Sequence, residues 1–131
     1  MPFKVTPKEF QELLPFICDK KTSVDPNGWK PENPLWGHCA IVAILAKELF
    51  GGEILRASLE KTEFTSMRSH YWNRIRNGQE IDFTAAQFGN CYPSGLEPEV
   101  RDSGKLLDNA DTAKRYYALV YRFNLYNREL T

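Results

Sequence analysis

Hydrophobic side chains recur three or four positions apart near the start of the chain, at Phe10, Leu13, Leu14 and Ile17. This spacing predicts an amphipathic first helix that buries one stripe and ends near Cys18. Thr6, Pro7 and Glu9 precede the stripe in the order of a capping residue, a first-turn proline and the acidic partner of a capping box. The helix is therefore expected to begin at Pro7.

A second helix is predicted over residues 39–50, where polar side chains are scarce. One lysine and one glutamate near its end interrupt the apolar run, and Gly51 and Gly52 follow it as a C-terminal cap. A helix that is apolar around its circumference must be buried on all sides. We therefore expect this helix to be the central one of the fold, with Cys39 as its first residue.

Strand patterns dominate the middle of the chain. Strands are predicted over residues 53–59, 69–75 and 80–84, and the last two are expected to form a hairpin across residues 76–79. The combination of helices with a short antiparallel sheet predicts the α+β class.

Two stretches rich in proline or glycine, residues 20–37 and 89–104, are predicted to be loops. The first loop is expected to be ordered, because Trp29 and Trp36 within it need a surface to cover.

A last helix is predicted to end near Arg128 and to begin at a cap provided by Asp111 or Thr112. Residues 116–123 within it are rich in aromatic and branched side chains and suit a strand equally well.

Acidic and basic side chains balance, since 17 Lys and Arg residues face 17 Asp and Glu residues. Without a net positive field, we expect neither nucleic acid nor an anionic membrane surface as a partner. At 131 residues, 42% of them hydrophobic, the chain is expected to form a single domain over residues 1–131.

Cysteine usage and hydropathy indicate the compartment. The longest apolar run, residues 39–46, falls well short of the roughly 20 residues that a bilayer requires. Polar residues also interrupt any signal-peptide core near the start of the chain. Cys18, Cys39 and Cys91 are odd in number and lack C-x-x-C spacing, which argues against a disulfide framework or a thiolate metal site. We expect a cytoplasmic protein without a metal or cofactor.

Three side chains suggest nucleophilic catalysis. Cys39 stands at the predicted N-terminus of the buried helix, where unpaired backbone N–H groups and the helix dipole favour a thiolate. His70 begins one strand of the predicted hairpin, and Asp82 lies in the other strand. A carboxylate in that position can orient the imidazole, which in turn activates the thiol.

The length of the hairpin loop decides whether His70 and Asp82 can meet. A two-residue turn would leave these side chains on opposite faces of the sheet. A three-residue loop over residues 76–78, with Gly78 in the left-handed conformation, shifts the pairing by one and places Trp72 opposite Asp82. His70 and Asp82 then become diagonal neighbours on one face, about 7–8 Å apart. We predict the three-residue loop.

Each candidate residue also has a purely structural interpretation. A cysteine that begins a helix is often a small buried hydrophobic residue, and a histidine in a strand can be a core residue with its hydrogen bonds satisfied. Asp82 can cap a turn or pair with Arg74 or Arg76, and Asn33 can stabilise a turn before Pro34. Trp72 is expected chiefly to pack within the hairpin.

Four segments of the chain carry a resemblance to known proteins. The order Cys39, His70, Asp82 resembles that of the papain-like cysteine hydrolase superfamily, including its NlpC-type and transglutaminase-like branches. A closer resemblance, over residues 23–88, is to the YunG-like family of small, uncharacterised bacterial proteins. It rests on the segments NPLWGHCA, FGGEIL, SHYWNR and EIDFT, with QF shortly after the last.

The resemblance implies a papain-like fold, in which the helix that carries Cys39 packs on a small antiparallel sheet carrying His70 and Asp82. It also implies that Cys39 is the nucleophile, His70 the general base and then acid, and Asp82 the orienting carboxylate. Asn33 stands at the offset before the cysteine where papain-like enzymes place an amide that helps to bind the oxyanion. The chain departs from the family at His38, where relatives commonly carry glutamine.

These inferences predict a cysteine hydrolase or acyltransferase that attacks an amide-type carbonyl. Peptidase, amidase and deamidase activities all fit, with a peptide, amide or small acyl group as substrate. A small acyl group is favoured, because few residues separate Cys39, His70 and Asp82 and little chain is left to build extended peptide subsites. The competing hypothesis is a catalytically silent papain-like domain that binds a protein or a small ligand in the same cleft.

Overall fold

Four helices and one four-stranded antiparallel sheet account for the regular structure of residues 5–130, the part of the chain that the computed structural model describes. The helices are α1 (Pro7–Ile17), α2 (Cys39–Phe50), α3 (Ser103–Leu107) and α4 (Ala110–Leu130). The strands are β1 (Glu53–Ser58), β2 (Ser69–Arg74), β3 (Glu80–Ile81) and β4 (Glu99–Arg101). Short 3-10 turns cover Thr65–Met67 and Ala85–Phe88. The predicted α+β class with a small antiparallel sheet is confirmed.

The capping box predicted for α1 is present. The Glu9 N–H donates to Thr6 Oγ1 at 3.1 Å, and the Thr6 N–H donates to Glu9 Oε1 at 2.9 Å. Both bonds satisfy N–H groups that the first helical turn would otherwise leave unpaired. The predicted stripe of four hydrophobic residues is buried, and the helix ends one residue before Cys18.

Helix α2 is central, as predicted, and its start is buried almost all round. The buried residues are Cys39, Ile41, Val42, Ala43, Ile44, Leu45 and Ala46. Gly51 ends the helix with φ of 74°, a conformation that side chains disfavour, and its N–H donates to the Lys47 carbonyl. The Asn73 amide of β2 donates to the Ala43 carbonyl at 2.9 Å and ties the helix to the sheet.

The loop before α2 is ordered around its two tryptophans, as predicted. Trp29 Nε1 donates to the Pro34 carbonyl at 2.9 Å, and Trp36 Nε1 donates to Asp25 Oδ2 at 3.0 Å. Both indoles are partly buried. These bonds fold the loop onto itself just before Cys39.

The strand order in the sheet is β3-β2-β1-β4. Within the β1–β2 pair, His70 lies opposite Ala57 and Trp72 lies opposite Leu55. Leu55, Ala57 and Trp72 form a small buried cluster with Leu96, separate from the main core around α2. The sheet is therefore covered on both faces in this region, and His70 and Trp72 share one of them.

The β2–β3 hairpin has the predicted three-residue loop. The paired residues are Asn73 with Ile81 and Arg74 with Glu80, and the Ile75 N–H donates to the Gln79 carbonyl at 2.9 Å. Gly78 has φ of 89°, which a three-residue loop requires and a side chain disfavours. The pairing ends at Asn73 and Ile81, so Asp82 follows β3 directly and, contrary to prediction, does not lie within the sheet.

The chain from 89 to 104 is not loop throughout, and this prediction was wrong. It contains β4, which pairs with β1, and its end begins α3 at Ser103. The strand is three residues long and largely exposed, so neither hydrophobic alternation nor burial marks it in the sequence.

Several element ends also differ from prediction, and β1 and β2 each end one residue early, at Ser58 and Arg74. Strand β3 ends at Ile81 rather than at residue 84, because the Thr84 N–H bonds to the Asp82 side chain at 3.2 Å instead of a neighbouring strand. Helix α4 covers the stretch 116–123 that also suited a strand. Asn109 caps α4, with Oδ1 accepting the Thr112 N–H at 3.0 Å, so neither Asp111 nor Thr112 is the cap.

No helix within the described residues is long and apolar enough to span a bilayer.

Candidate active site

Cys39 occupies the first position of α2, where the helix leaves N–H groups without intrahelical partners. The preceding residue, His38, makes no side-chain capping bond to this turn. Cys39 is largely buried, with 9% of the residue exposed. The thiol therefore stands at the N-terminal end of the helix, beside the backbone N–H groups of its first turn.

His70 and Asp82 form a short hydrogen bond in the site. His70 Nε2 and Asp82 Oδ2 are 2.5 Å apart, and the imidazole is fully buried while the carboxylate is 13% exposed. An ionised carboxylate can only accept, so the hydrogen is on Nε2. This bond fixes the ring orientation and leaves Nδ1 to face the rest of the site.

Nδ1 of His70 is buried and makes no hydrogen bond to any described residue. A buried nitrogen without a partner costs roughly 1–3 kcal/mol, and such atoms are rare in folded proteins. The Cys39 thiol lies near this ring and raises the pKa of His70. The arrangement therefore keeps an unpaired ring nitrogen, which carries a proton when the imidazole is charged, next to the Cys39 thiol.

The pKa of His70 reflects this environment. Burial by itself would lower it, but the hydrogen bond to Asp82 and the adjacent Cys39 outweigh burial and raise the pKa to about 9. The charged imidazole is accordingly favoured near neutral pH.

Asp82 accepts from three residues. Oδ2 receives the His70 bond and also the Tyr92 hydroxyl at 2.5 Å. Oδ1 receives the Thr84 N–H at 3.2 Å and the Thr84 hydroxyl at 3.5 Å. Asp82 therefore caps a turn, as one structural interpretation anticipated, and orients His70 with its other oxygen.

Aromatic rings enclose the imidazole. The ring of Trp72 stacks on His70 with centroids 5.7 Å apart, and Phe88 and Tyr92 meet it edge-on at 4.8 Å and 6.1 Å. Trp72 is also part of the buried cluster on β1 and β2, so it packs, as expected, and covers the site as well. An apolar enclosure strengthens the His70–Asp82 interaction by excluding water.

Gln87 connects the two halves of the site. Its Oε1 accepts the Gly37 N–H at 3.1 Å, and its Nε2 donates to Thr84 Oγ1 at 2.9 Å. Its backbone carbonyl accepts from Asn33 Nδ2 at 2.9 Å. The segment that leads into Cys39 is thereby held against the turn that follows Asp82.

Asn33, the candidate oxyanion donor, is thus engaged with the Gln87 carbonyl. This bond uses one of the two hydrogens that the Asn33 amide can donate. The side chain joins the loop before α2 to the Ala85–Phe88 turn. Its role is therefore wider than the stabilisation of its own turn before Pro34.

His38 is turned into the interior rather than toward the thiol. Nδ1 donates to the Trp36 carbonyl at 2.9 Å, and Nε2 contacts the Thr22 hydroxyl at 2.7 Å. Burial lowers the pKa of His38 to about 4, although the Trp36 carbonyl opposes this shift. His38 is therefore a neutral structural residue, and its ring supplies no group to the site.

The other two cysteines lie in different environments. Cys18 is buried at the end of α1, where burial raises its pKa strongly. Cys91 is exposed. Among the described residues, no three His, Cys, Asp or Glu side chains form a cluster that could hold a metal ion.

Sequence reasoning did not assign roles to Tyr92, Gln87 or Thr84. Tyr92 lies in a turn-rich stretch without periodicity, and no local pattern indicates that its hydroxyl reaches Asp82. Gln87 belongs to a segment that carried the family resemblance, but its bond to Gly37 spans 50 positions and is visible only in the folded chain.

The model of the family described as YunG protein matches residues 6–126. The chain belongs to the YunG family. One relative is the "Uncharacterized protein YunG" of Bacillus subtilis (strain 168), which is 33% identical over 60 residues. That alignment covers 46% of this chain and 46% of the relative, so it spans about half the length of each. No solved structure matches the chain.

Proposed function

We propose that this protein is a cysteine hydrolase or acyltransferase that attacks amide-type carbonyls, with Cys39 as nucleophile, His70 as base and acid, and Asp82 as orienting carboxylate. The observation that carries the proposal is the His70 imidazole, which is fixed by Asp82 through Nε2 while its buried Nδ1 stays unpaired beside Cys39. A helix carrying the cysteine and a sheet carrying the histidine also support a papain-like arrangement.

The chemistry follows from these positions. The Cys39 sulfur attacks the carbonyl carbon and forms a C–S bond, and the carbonyl oxygen becomes an oxyanion. In this proposal the backbone N–H groups at the start of α2 bind that charge, with the Cys39 N–H foremost and the Asn33 amide as a second donor. His70 then gives its Nδ1 proton to the leaving amine as the C–N bond breaks.

Turnover requires a second nucleophile. Water gives up a proton to His70 Nδ1 and attacks the thioester, which releases a carboxylic acid and restores the thiol. An amine in place of water would give acyl transfer instead. The aromatic enclosure of His70 and the short connections between the three residues favour a small acyl group over a long peptide.

The decisive experiment is selective alkylation of the native protein. Trace iodoacetamide is applied from pH 5 to 9, and mass spectrometry follows Cys39, Cys18 and Cys91 separately. An ordinary thiol with a pKa near 8.5 is only about 0.3% ionised at pH 6. We expect Cys39 to react at pH 6 at least about tenfold faster than exposed Cys91, and His70→Gln to remove this advantage.

The two other cysteines are internal controls, since one is exposed and the other buried. If Cys39 is inert, or titrates as Cys91 does, the hydrolase proposal is wrong and a silent binding domain becomes the better hypothesis. If Cys39 is activated, screening of amide and thioester substrates with Cys39→Ser as the blank distinguishes hydrolysis from acyl transfer by the product formed.

A further inference from the structure

Tyr92 is not one of the three proposed catalytic residues, but it contacts two of them. Its hydroxyl donates to Asp82 Oδ2 at 2.5 Å, the same oxygen that accepts from His70 Nε2. Its ring also meets the imidazole edge-on at 6.1 Å. Tyr92 thus contacts both partners of the histidine–carboxylate pair.

Two donors on one carboxylate oxygen compete for the same charge. A short hydrogen bond from a phenol to an ionised carboxylate is charge-assisted and stronger than a bond from water. The negative charge that the Tyr92 hydroxyl stabilises is no longer fully available to the imidazolium of His70.

The other charged and polar groups around the pair do not supply this effect. Cys39 faces His70 from α2, and Thr84 contacts only the opposite oxygen of Asp82. Glu80 bonds to the Trp72 indole at 3.0 Å and influences Tyr92, but it has no contact with the shared oxygen among the described residues.

We propose that Tyr92 is a positioning residue of the site: its hydroxyl holds Asp82 by the oxygen shared with His70 and limits how strongly that carboxylate stabilises the charged imidazole. The role of the tyrosine in turnover rests on the proposed function, whereas its effect on His70 does not. Burial and the bond to Asp82 raise the pKa of Tyr92, so the phenol stays protonated and donates throughout the range in which His70 titrates.

A catalytic benefit follows from the chemistry. His70 must give its Nδ1 proton to the leaving amine, and an imidazolium that is held too strongly releases this proton slowly. By sharing Asp82, Tyr92 keeps the histidine oriented while making it a better acid.

The test uses the fact that the chain contains only two histidines. The imidazole signals of His38 and His70 are titrated by NMR in the tag-free protein, in wild type and in Tyr92→Phe. We expect the pKa of His70 to rise by about half a pH unit or more in Tyr92→Phe, with His38 unchanged as the internal reference.

Matched variants define the controls. Tyr117→Phe removes a hydroxyl from an exposed tyrosine on α4 and should leave the His70 titration unchanged. Asp82→Asn should lower the pKa of His70 and verifies that the signal reports the pair. Because Tyr92 is 46% exposed, Tyr92→Phe is expected to fold, which the His38 signals verify directly.

An unchanged or lowered pKa of His70 in Tyr92→Phe overturns the proposal. The titration requires neither substrate nor a reactive thiol, so it remains informative even if Cys39 proves inert in the alkylation experiment. With an active enzyme, the alkaline limb of kcat/KM should move upward with the pKa of His70, and kcat should fall while KM changes little.

Discussion

Gly37 and Gln87 are 50 positions apart in the chain and are joined by a hydrogen bond of 3.1 Å, in which the Gly37 N–H donates to Gln87 Oε1. Gly37 lies two residues before Cys39, and Gln87 also donates to Thr84, which bonds to Asp82. One buried amide therefore sets the position of the proposed nucleophile relative to the proposed carboxylate.

Replacing this amide tests the connection. We expect Gln87→Met to lower the free energy of unfolding by about 1–3 kcal/mol, because it leaves the buried Gly37 N–H without an acceptor. Urea denaturation measures the loss, and alkylation of Cys39 at pH 6 should slow in the same variant. Gln79→Met, at an exposed glutamine, is the control, and an equal effect there would show that the connection has no special role.

The two histidines are expected to respond to pH in opposite directions, and His38 allows a simple measurement. Its pKa is lowered to about 4 in the folded protein, against about 6.5 in the unfolded chain. Its stabilising contribution is complete above pH 6.5 and is lost as the pH falls toward 4. At about 1.4 kcal/mol per pK unit, the loss is about 3 kcal/mol.

The measurement is the difference in unfolding free energy between wild type and His38→Gln at several pH values. This difference should shrink between pH 6.5 and 4, because only the wild type has to protonate His38 on unfolding. A difference that stays constant between pH 6.5 and 4 would mean that folding does not lower the pKa of His38.

Two glycines with positive φ should tolerate alanine very differently. A Cβ at Gly52 would overlap the Arg74 carbonyl of the adjacent strand, whereas a Cβ at Gly78 meets nothing within 4 Å. We expect Gly78→Ala to cost about 1 kcal/mol from backbone strain alone, and Gly52→Ala to cost more than about 3 kcal/mol. Thermal unfolding compares them, and similar losses would contradict the close approach at Gly52.

The core is expected to depend on Phe10. Its ring meets those of Phe50, Phe83 and Phe123 at centroid distances of 5.7, 5.1 and 5.9 Å, and the residue is fully buried. Phe10→Ala should therefore cost about 3–5 kcal/mol. On the same helix Phe16 is 72% exposed, and Phe16→Ala should change stability by only about 0.5 kcal/mol. Comparable values for both variants would refute this assignment of the core.

Local patterns in the sequence predicted the helices that build the core. The bounds of α2 and the capping box of α1 follow from side chains within a few positions of each other, and such interactions form in the same way in most folds. The hairpin register is also local, because the loop of residues 76–78 needs only Gly78 to adopt its positive φ.

Strand β4 was not predictable in this way. Its three residues are mostly exposed and carry no apolar alternation, and they become a strand because β1 offers an unpaired edge. The cap of α4 at Asn109 was not predicted for a different reason. Several residues able to cap a helix lie close together there, and only packing decides which of them is the cap.

By itself, the sequence determined the order of the elements and the secondary structure around Cys39 and His70, because caps, hydrophobic spacing and the hairpin loop act over short stretches of chain. It did not determine that Asp82 follows β3 instead of lying within it. The tertiary structure alone decided that Nε2 of His70 faces Asp82, that Nδ1 stays unpaired, and that Tyr92 and Gln87 complete the network. These contacts join distant parts of the chain, and their formation depends on packing that no single segment specifies.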